Sequence, residues 1–199
     1  ANVACKIAEL GGRVTLAGVC GRDEAAKLLL DATASFGVDC SAVVEDPGRP
    51  TTVKTRLLAR SQHLLRVDRE VRDPISGRVE QELKDRVARA LDDCGAVSVV
   101  DYHKGTLTNA VLRAALSRDR TLPAVVDPRG SRYDRYRGAT VIAPNHRELE
   151  LAVGHPVRSE REIAEAGAQL LGESEAVAIA VKRGRDGITL ITRGSVEHV

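Results

Sequence analysis

The fold class is indicated by one stretch of the chain, residues 96–127, which reads AVSVVDYHKGTLTNAVLRAALSRDRTLPAVVD. Its first five residues form a short apolar run, residues 107–116 have the apolar spacing of a helix, and residues 124–126 form a second apolar run. A strand, a helix and a strand in this order predict a right-handed β-α-β unit with parallel strands. Because helices cover both faces of a parallel sheet, its strands are expected to be apolar throughout, as these are.

The same alternation continues on both sides of this stretch. We therefore predict an α/β fold, a mostly parallel sheet flanked by helices on both faces. Helices are predicted for residues 1–10, 23–36, 77–91, 147–153 and 160–171, and strands for 13–19, 140–143, 177–181 and 188–192. Residues 1–199 are expected to form a single domain that is truncated at both ends, because the chain opens in a helical pattern and residues 195–199 resemble the start of a strand.

One segment departs from this alternation. Residues 51–59 and 63–69 are strand-like runs joined by residues 60–62, which predicts a β-hairpin. Apolar and polar residues alternate along both runs, as expected for a sheet with one covered face. We place this hairpin outside the main sheet, as a small β lid spanning residues 43–70.

Composition excludes several functional classes. The chain has 199 residues and a formal net charge of +2, so it lacks the excess of cations that nucleic-acid binding needs. No stretch approaches the length of a membrane span, and no signal-peptide pattern opens the chain. The four cysteines are widely spaced, which argues against a zinc site or a disulfide framework. We expect a cytoplasmic protein with no membrane or nucleic-acid partner.

Polar residues follow four of the predicted strands. In open α/β sheets ligands bind at the carboxyl ends of the strands, so these residues are candidates for a site. They are Asp101 and Lys104, Asp127 and Arg129, Asn145 and Glu148, and Lys182 and Gly184. Each has a simpler structural interpretation: a capping box for residues 145–148, a hairpin turn for 184–187, and loop formers or solvated charges for the others. Their joint placement at one edge favours a phosphorylated, metal-dependent pair of substrates.

Several stretches resemble the ribokinase/PfkB carbohydrate kinases. Residues 1–4, 10–12 and 18–23 are similar to the early glycine-rich signature of that family, and Asn145-x-x-Glu148 is similar to its N-x-x-E motif. Residues 51–68, 101–105 and 127–138 resemble, more specifically, its heptose 7-phosphate kinases. Arg129 stands where the resemblance leads us to expect lysine, and His146-Arg147 is more basic than the pattern.

The resemblance implies an activity and a set of residues. It implies ATP and Mg²⁺ as cofactors and phosphorylation of D-glycero-D-manno-heptose 7-phosphate to the 1,7-bisphosphate, in ADP-heptose biosynthesis. It also implies a homodimer formed through the β lid. The residues it assigns are Asn2, Arg56, Asp101, Lys104 and Arg129 for the sugar phosphate, Asn145, His146, Arg147, Glu148, Lys182 and Gly184 for ATP, and Glu148, acting through water, for the metal.

The catalytic base is expected elsewhere. The family's base is an aspartate in a G-A-G-D segment, which the resemblance places downstream of Val199, so we assign no catalytic residue here and expect the segment alone to be inactive. Two alternatives stay open. One is a kinase of a ribose- or fructose-type sugar on the same fold, and the other is a non-catalytic binding remnant.

Overall fold

The chain folds into two compact units. A computed structural model describes residues 1–60, 62–116 and 122–199. The first unit comprises Ala1–Asp92 and Lys104–Val111, and the second comprises Asp93–His103 and Leu112–Val199. The helices are α1 (Asn2–Glu9), α2 (Glu24–Ala34), α3 (Gly77–Leu91), α4 (Asn109–Ala115), α5 (His146–Val153) and α6 (Glu160–Ser174). The strands are β1 (Gly18–Cys20), β2 (Val43–Glu45), β3 (Val53–Ala59), β4 (Gln62–Arg69), β5 (Val97–Val100), β6 (Ala124–Asp127), β7 (Val141–Ile142), β8 (Ala178–Lys182), β9 (Ile188–Thr192) and β10 (Val196–His198).

The three helices α1, α2 and α3 begin and end within two residues of the predicted bounds. The Asp23 carboxylate accepts a hydrogen bond from the backbone N–H of Ala26 at 2.9 Å, so Asp23 is the N-cap of α2. Helix α3 has the predicted bounds and buries Leu83, Val87 and Leu91, which are spaced four residues apart on one face. Such a stripe is what an amphipathic helix packs against its core.

Strands of the first unit differ from the prediction. The strand expected over residues 13–19 is paired only at Gly18–Cys20, which runs parallel to β2, while Thr15 makes an isolated bridge to Asp39. Strand β2 was not predicted, because three residues beside a turn are too few to show a period of two.

The predicted hairpin is present as a separate two-stranded antiparallel sheet. Strands β3 and β4 pair from Val53 with Arg69 to Ala59 with Gln62, with a register shift at Leu57/Leu58. Ser61, in the predicted turn, lies outside the described residues. The alternating apolar face was expected to be covered, but within this single chain it is open: Leu57 is 48% exposed and Leu65 55% exposed.

A six-stranded sheet forms the second unit, in the order β10-β9-β8-β7-β6-β5. Strands β5 to β8 are parallel, as predicted, whereas β9 and β10 continue the sheet in antiparallel fashion. Val126, Ile142 and Ile179, on the three central parallel strands, are fully buried. Helix α6 approaches the sheet closely at Gly167, where a Cβ atom would lie 2.7 Å from the terminal methyl of Ile191, so a larger residue there would require the Ile191 side chain to shift.

Among the described residues, no helix is both long and apolar enough to cross a membrane. Of the four cysteines, Cys20 is buried, and Cys5, Cys40 and Cys94 are half-buried.

Candidate active site

The carboxyl ends of the parallel strands in the second unit gather charged side chains. Strand β6 ends at Asp127, which pairs with Lys182 at the end of β8. Arg129, two residues past β6, pairs with Glu148 in the first turn of α5 at 3.1 Å. Two ion pairs therefore connect the ends of β6, β8 and the β7–α5 junction, as expected where parallel strands end at one edge.

Asn145 and Glu148 form a complete capping box at the start of α5. The Asn145 side chain accepts from the backbone N–H of Glu148 at 2.9 Å, and Glu148 Oε2 accepts from the N–H of Asn145 at 2.9 Å. The other oxygen, Oε1, accepts from Arg129. Glu148 is a buried carboxylate whose two oxygens both have partners. The structural interpretation of this motif is thus correct, and it is compatible with a ligand role because the helix start still favours phosphate.

Asp101 is buried at the end of β5, and its carboxylate contacts three other residues. Its Oδ2 accepts from the Tyr136 hydroxyl at 2.8 Å and lies 3.6 Å from Arg135, and its Oδ1 accepts from the backbone N–H of His103. Burial raises the pKa of Tyr136, the carboxylate of Asp101 adding to the effect, so this phenol stays protonated and acts as a donor. The Asp101 carboxylate is therefore held in one orientation by the second unit.

The remaining residues proposed for ATP lie nearby in the same unit but make weaker contacts. His146 lies 3.6 Å from Glu150 on the first turns of α5, and Arg147 is exposed. Gly184 opens a short 3₁₀ turn with a φ of +66°, a backbone conformation that favours glycine. This turn joins β8 to β9, which agrees with the hairpin-turn interpretation of residues 184–187.

Asn2, Arg56 and Lys104 lie in the first unit. Asn2 begins α1 and is exposed, and Arg56 is exposed on β3, where it is paired in register with Arg66. Lys104 is half-buried, and its ammonium forms an ion pair with Glu70 just beyond the end of β4.

The loop that carries Lys104 is fixed to the segment after the hairpin. The N–H of Ile75 donates to the carbonyl of Gly105 at 3.0 Å, and Arg49 donates to the carbonyl of Asp73 at 2.9 Å. Gly105 has a φ of +74°, and a Cβ atom there would lie 2.0 Å from the Asp73 carbonyl oxygen. Only glycine allows this approach, so the position of Lys104 depends on a backbone contact as well as on Glu70.

Sequence reasoning missed Glu70, Tyr133 and Tyr136 as residues of these clusters. Glu70 had no motif around it, so no local signal could have found it. The two tyrosines offered a signal, because they lie three residues apart in a chain that has three tyrosines in all. Their rings pack edge to face, with centroids 6.0 Å apart.

The residues present suit Mg²⁺ only in part. No group of three or more metal-ligating side chains occurs among residues 1–60, 62–116 and 122–199. Mg²⁺ is commonly held by one or two carboxylates together with waters and substrate phosphates, so a lone Glu148 at a helix start fits that mode of binding.

Comparison with known proteins assigns the family. The sequence pattern described as "pfkB family carbohydrate kinase" matches residues 1–199. The chain belongs to the pfkB family. The Geobacter metallireducens protein named "Bifunctional protein HldE" is 41% identical over 201 residues, which cover 100% of this chain and 41% of that protein. The chain thus spans about two fifths of the length of this curated relative.

Solved structures agree with this pfkB assignment at the level of fold. Arabidopsis thaliana ribokinase complexed with ribose and ATP superposes with a TM-score of 0.75 at 20% identity, covering 100% of this chain and 64% of that one. Escherichia coli phosphofructokinase-2 in complex with fructose-6-phosphate gives 0.75 at 17% identity, covering 100% and 66%. The predicted ribokinase-like fold is confirmed.

Proposed function

We propose that the protein transfers the γ-phosphoryl group of ATP to a heptose 7-phosphate and forms the 1,7-bisphosphate. A sugar hydroxyl oxygen bonds to the γ-phosphorus, the bond to the β,γ-bridging oxygen breaks, ADP leaves and the hydroxyl proton passes to a base. The observation that carries the proposal is the paired set of cations and carboxylates at the strand ends of a pfkB-family chain. Its likeness to HldE proteins supports the choice of a heptose phosphate.

The nucleotide side is proposed to lie at the start of α5 and the end of β8. The first N–H groups of α5 and the positive end of its dipole favour phosphate there. Lys182 and Gly184 would contact the nucleotide, with His146 beside them and Arg147 adding positive charge. Glu148 would act on Mg²⁺ through a bound water, and the metal when bound neutralises charge on the phosphates.

The sugar phosphate is proposed to contact Asn2, Arg56, Asp101, Lys104 and Arg129. The cations among them would meet the 7-phosphate, because a cation paired with phosphate makes a strong charge-assisted contact. Lys104 is the best supported, since Glu70 and the backbone around Gly105 hold it in one place. A fixed ammonium loses less side-chain entropy when it binds than a solvated one does.

The hairpin is proposed to be a lid and a dimer interface. An isolated two-stranded sheet is marginally stable in water, and this one exposes Leu57, Leu65 and Val67 on one face. A second copy of the chain could cover that face with the same residues, which is how a two-fold interface is built. Closure of the lid over the sugar would exclude water from the transferred phosphoryl group.

The test compares sugars on the natural gene product. ADP release and the melting temperature are measured with heptose 7-phosphate, the same heptose without phosphate, ribose and fructose 6-phosphate, each with Mg·ATP. Heptose 7-phosphate should support ADP release and raise the melting temperature more than the others do. Faster ADP release with ribose or fructose 6-phosphate would favour the other-sugar kinase. Sugar binding with no ADP release for any of them would favour a non-catalytic binding protein.

A further inference from the structure

The hydroxyl of Tyr133 is buried without a hydrogen-bond partner among the described residues. Tyr133 is 1% exposed and packs edge to face on Tyr136, whose own hydroxyl contacts Asp101 and the backbone of Arg129. A buried hydroxyl with no acceptor is costly, and phenylalanine would pack equally well at this position. The hydroxyl therefore calls for an acceptor that another state of the protein provides.

The neighbour best suited to accept is Glu148. Burial raises the pKa of Tyr133, and the charge of the Glu148 carboxylate raises it further, so the phenol remains a hydrogen-bond donor. Glu148 Oε1 is at present paired with Arg129, whose side chain is 58% exposed, whereas that of Glu148 is 10% exposed. Arg129 is thus the partner that can turn to solvent or to a ligand while Glu148 stays in place.

We propose that Tyr133 is a positioning residue that donates its hydroxyl to the Glu148 carboxylate when Arg129 turns to an anionic phosphate ligand. The inference rests on the proposed function in one respect, the role of Arg129 at a phosphate. Without a replacement donor, the exchange would leave a buried carboxylate with one hydrogen bond fewer. With Tyr133 present, one exchange satisfies both groups: the hydroxyl gains an acceptor and Glu148 keeps its orientation.

The first arm of the test is a double-mutant cycle in the ligand-free natural gene product. Tyr133→Phe should leave the melting temperature unchanged or raise it, because it removes an unpartnered hydroxyl, and Tyr136→Phe should lower it. Arg129→Ala alone should cost little, since Tyr133 takes over Glu148. The double variant Arg129→Ala/Tyr133→Phe should melt on the order of 5 °C below the sum of the single effects.

A matched control uses a second exposed arginine of the same unit. Arg137 pairs with Glu175 at 3.3 Å and is 56% exposed. Arg137→Ala combined with Tyr133→Phe should be additive. Additivity of Arg129→Ala with Tyr133→Phe would overturn the proposal, and so would a Tyr133→Phe variant that melts as low as Tyr136→Phe. Failure of only the Arg129/Tyr133 double variant to fold would support it, as the extreme of non-additivity.

The second arm measures the dissociation constant of heptose 7-phosphate, the ligand proposed to draw Arg129 away from Glu148, by calorimetry. Tyr133→Phe should raise this constant about tenfold while the free protein keeps its full stability. Unchanged affinity together with additive melting would refute the exchange. A wild-type protein that does not bind heptose 7-phosphate at all would instead refute the proposed function, and the ligand-free cycle would still decide whether Tyr133 replaces Arg129.

Discussion

The Glu148→Gln substitution distinguishes between two roles of Glu148, that of a helix cap and that of a carboxylate needed for turnover. The glutamine oxygen can still accept from the N–H of Asn145, so the capping hydrogen bond is kept. The lost interaction is the ion pair with Arg129, and because that arginine is 58% exposed, solvent screening limits its worth to about 0.5–1 kcal/mol. For a chain of this size about 1 kcal/mol corresponds to a fall of roughly 2–4 °C in the melting temperature.

The effect on turnover should be much larger. If Glu148 orients Mg²⁺ through a bound water, the neutral amide should lower kcat by about ten- to hundredfold, the usual effect of removing a group one shell away from a metal. That is about 1.4–2.7 kcal/mol of transition-state stabilisation. The Mg²⁺ concentration that gives half-maximal rate should rise, and the KM for the sugar should stay near the wild-type value. The assay follows ADP release by the natural gene product while Mg²⁺ is titrated.

Helix α6 supplies the matched control. It begins with a second capping box, in which Ser159 accepts from the N–H of Glu162 and Glu162 Oε2 accepts from the N–H of Ser159. Glu162→Gln therefore perturbs a cap with no proposed metal role, and it should keep normal kinetics. If Glu148→Gln also keeps normal kinetics and Mg²⁺ dependence, the N-x-x-E motif of this chain is a cap and nothing more.

Three further outcomes are expected. Lys104→Ala should raise the KM for heptose 7-phosphate by about ten- to hundredfold, from the loss of one charge-assisted contact, and leave the KM for ATP unchanged; a rise in the KM for ATP instead would move Lys104 to the nucleotide side. Leu65→Asp should convert a dimer into a monomer in sedimentation analysis, and an unchanged sedimentation coefficient would remove the hairpin from the interface. Hydrogen bonds from Thr51 and Ala26 lower the pKa of Asp23, so its carboxylate stabilises the fold above the ordinary pKa and ceases to do so at lower pH. The difference in melting temperature between the wild type and Asp23→Asn should accordingly shrink as the pH falls below about 4, and a constant difference would contradict this account.

Local patterns allowed much of the fold to be predicted. Helix α3 follows from an apolar period of about four residues, and the parallel strands follow from apolar runs separated by helices. Because strand ends define an edge, Asp127, Glu148 and Lys182 could also be placed together. The predictions that failed concern strand segments that are short or barely paired. Strand β2 has three residues, and the segment before β1 makes only one bridge.

The pairing of charges could not be predicted in the same way. Lys182 and Asp127 are 55 residues apart, and Glu70 lies beyond a hairpin whose geometry the sequence does not specify. Which carboxylate meets which cation depends on register and side-chain reach, and neither leaves a periodic signal. The sequence also does not predict that the Tyr136 hydroxyl has a hydrogen-bond acceptor while the Tyr133 hydroxyl has none among the described residues, because both residues are tyrosines.

The pairing of opposite charges has a consequence for ligand binding. Three cations proposed to meet phosphate already have a carboxylate partner: Lys182 has Asp127, Arg129 has Glu148 and Lys104 has Glu70. A free anion that displaces one of these carboxylates must separate an ion pair, and the carboxylate left behind repels it, which opposes binding of metal-free ATP. Mg·ATP carries both signs of charge, so its phosphates can take Lys182 while its metal compensates a carboxylate of the second unit. Dependence on a divalent ion would then arise in binding itself, before any chemical step.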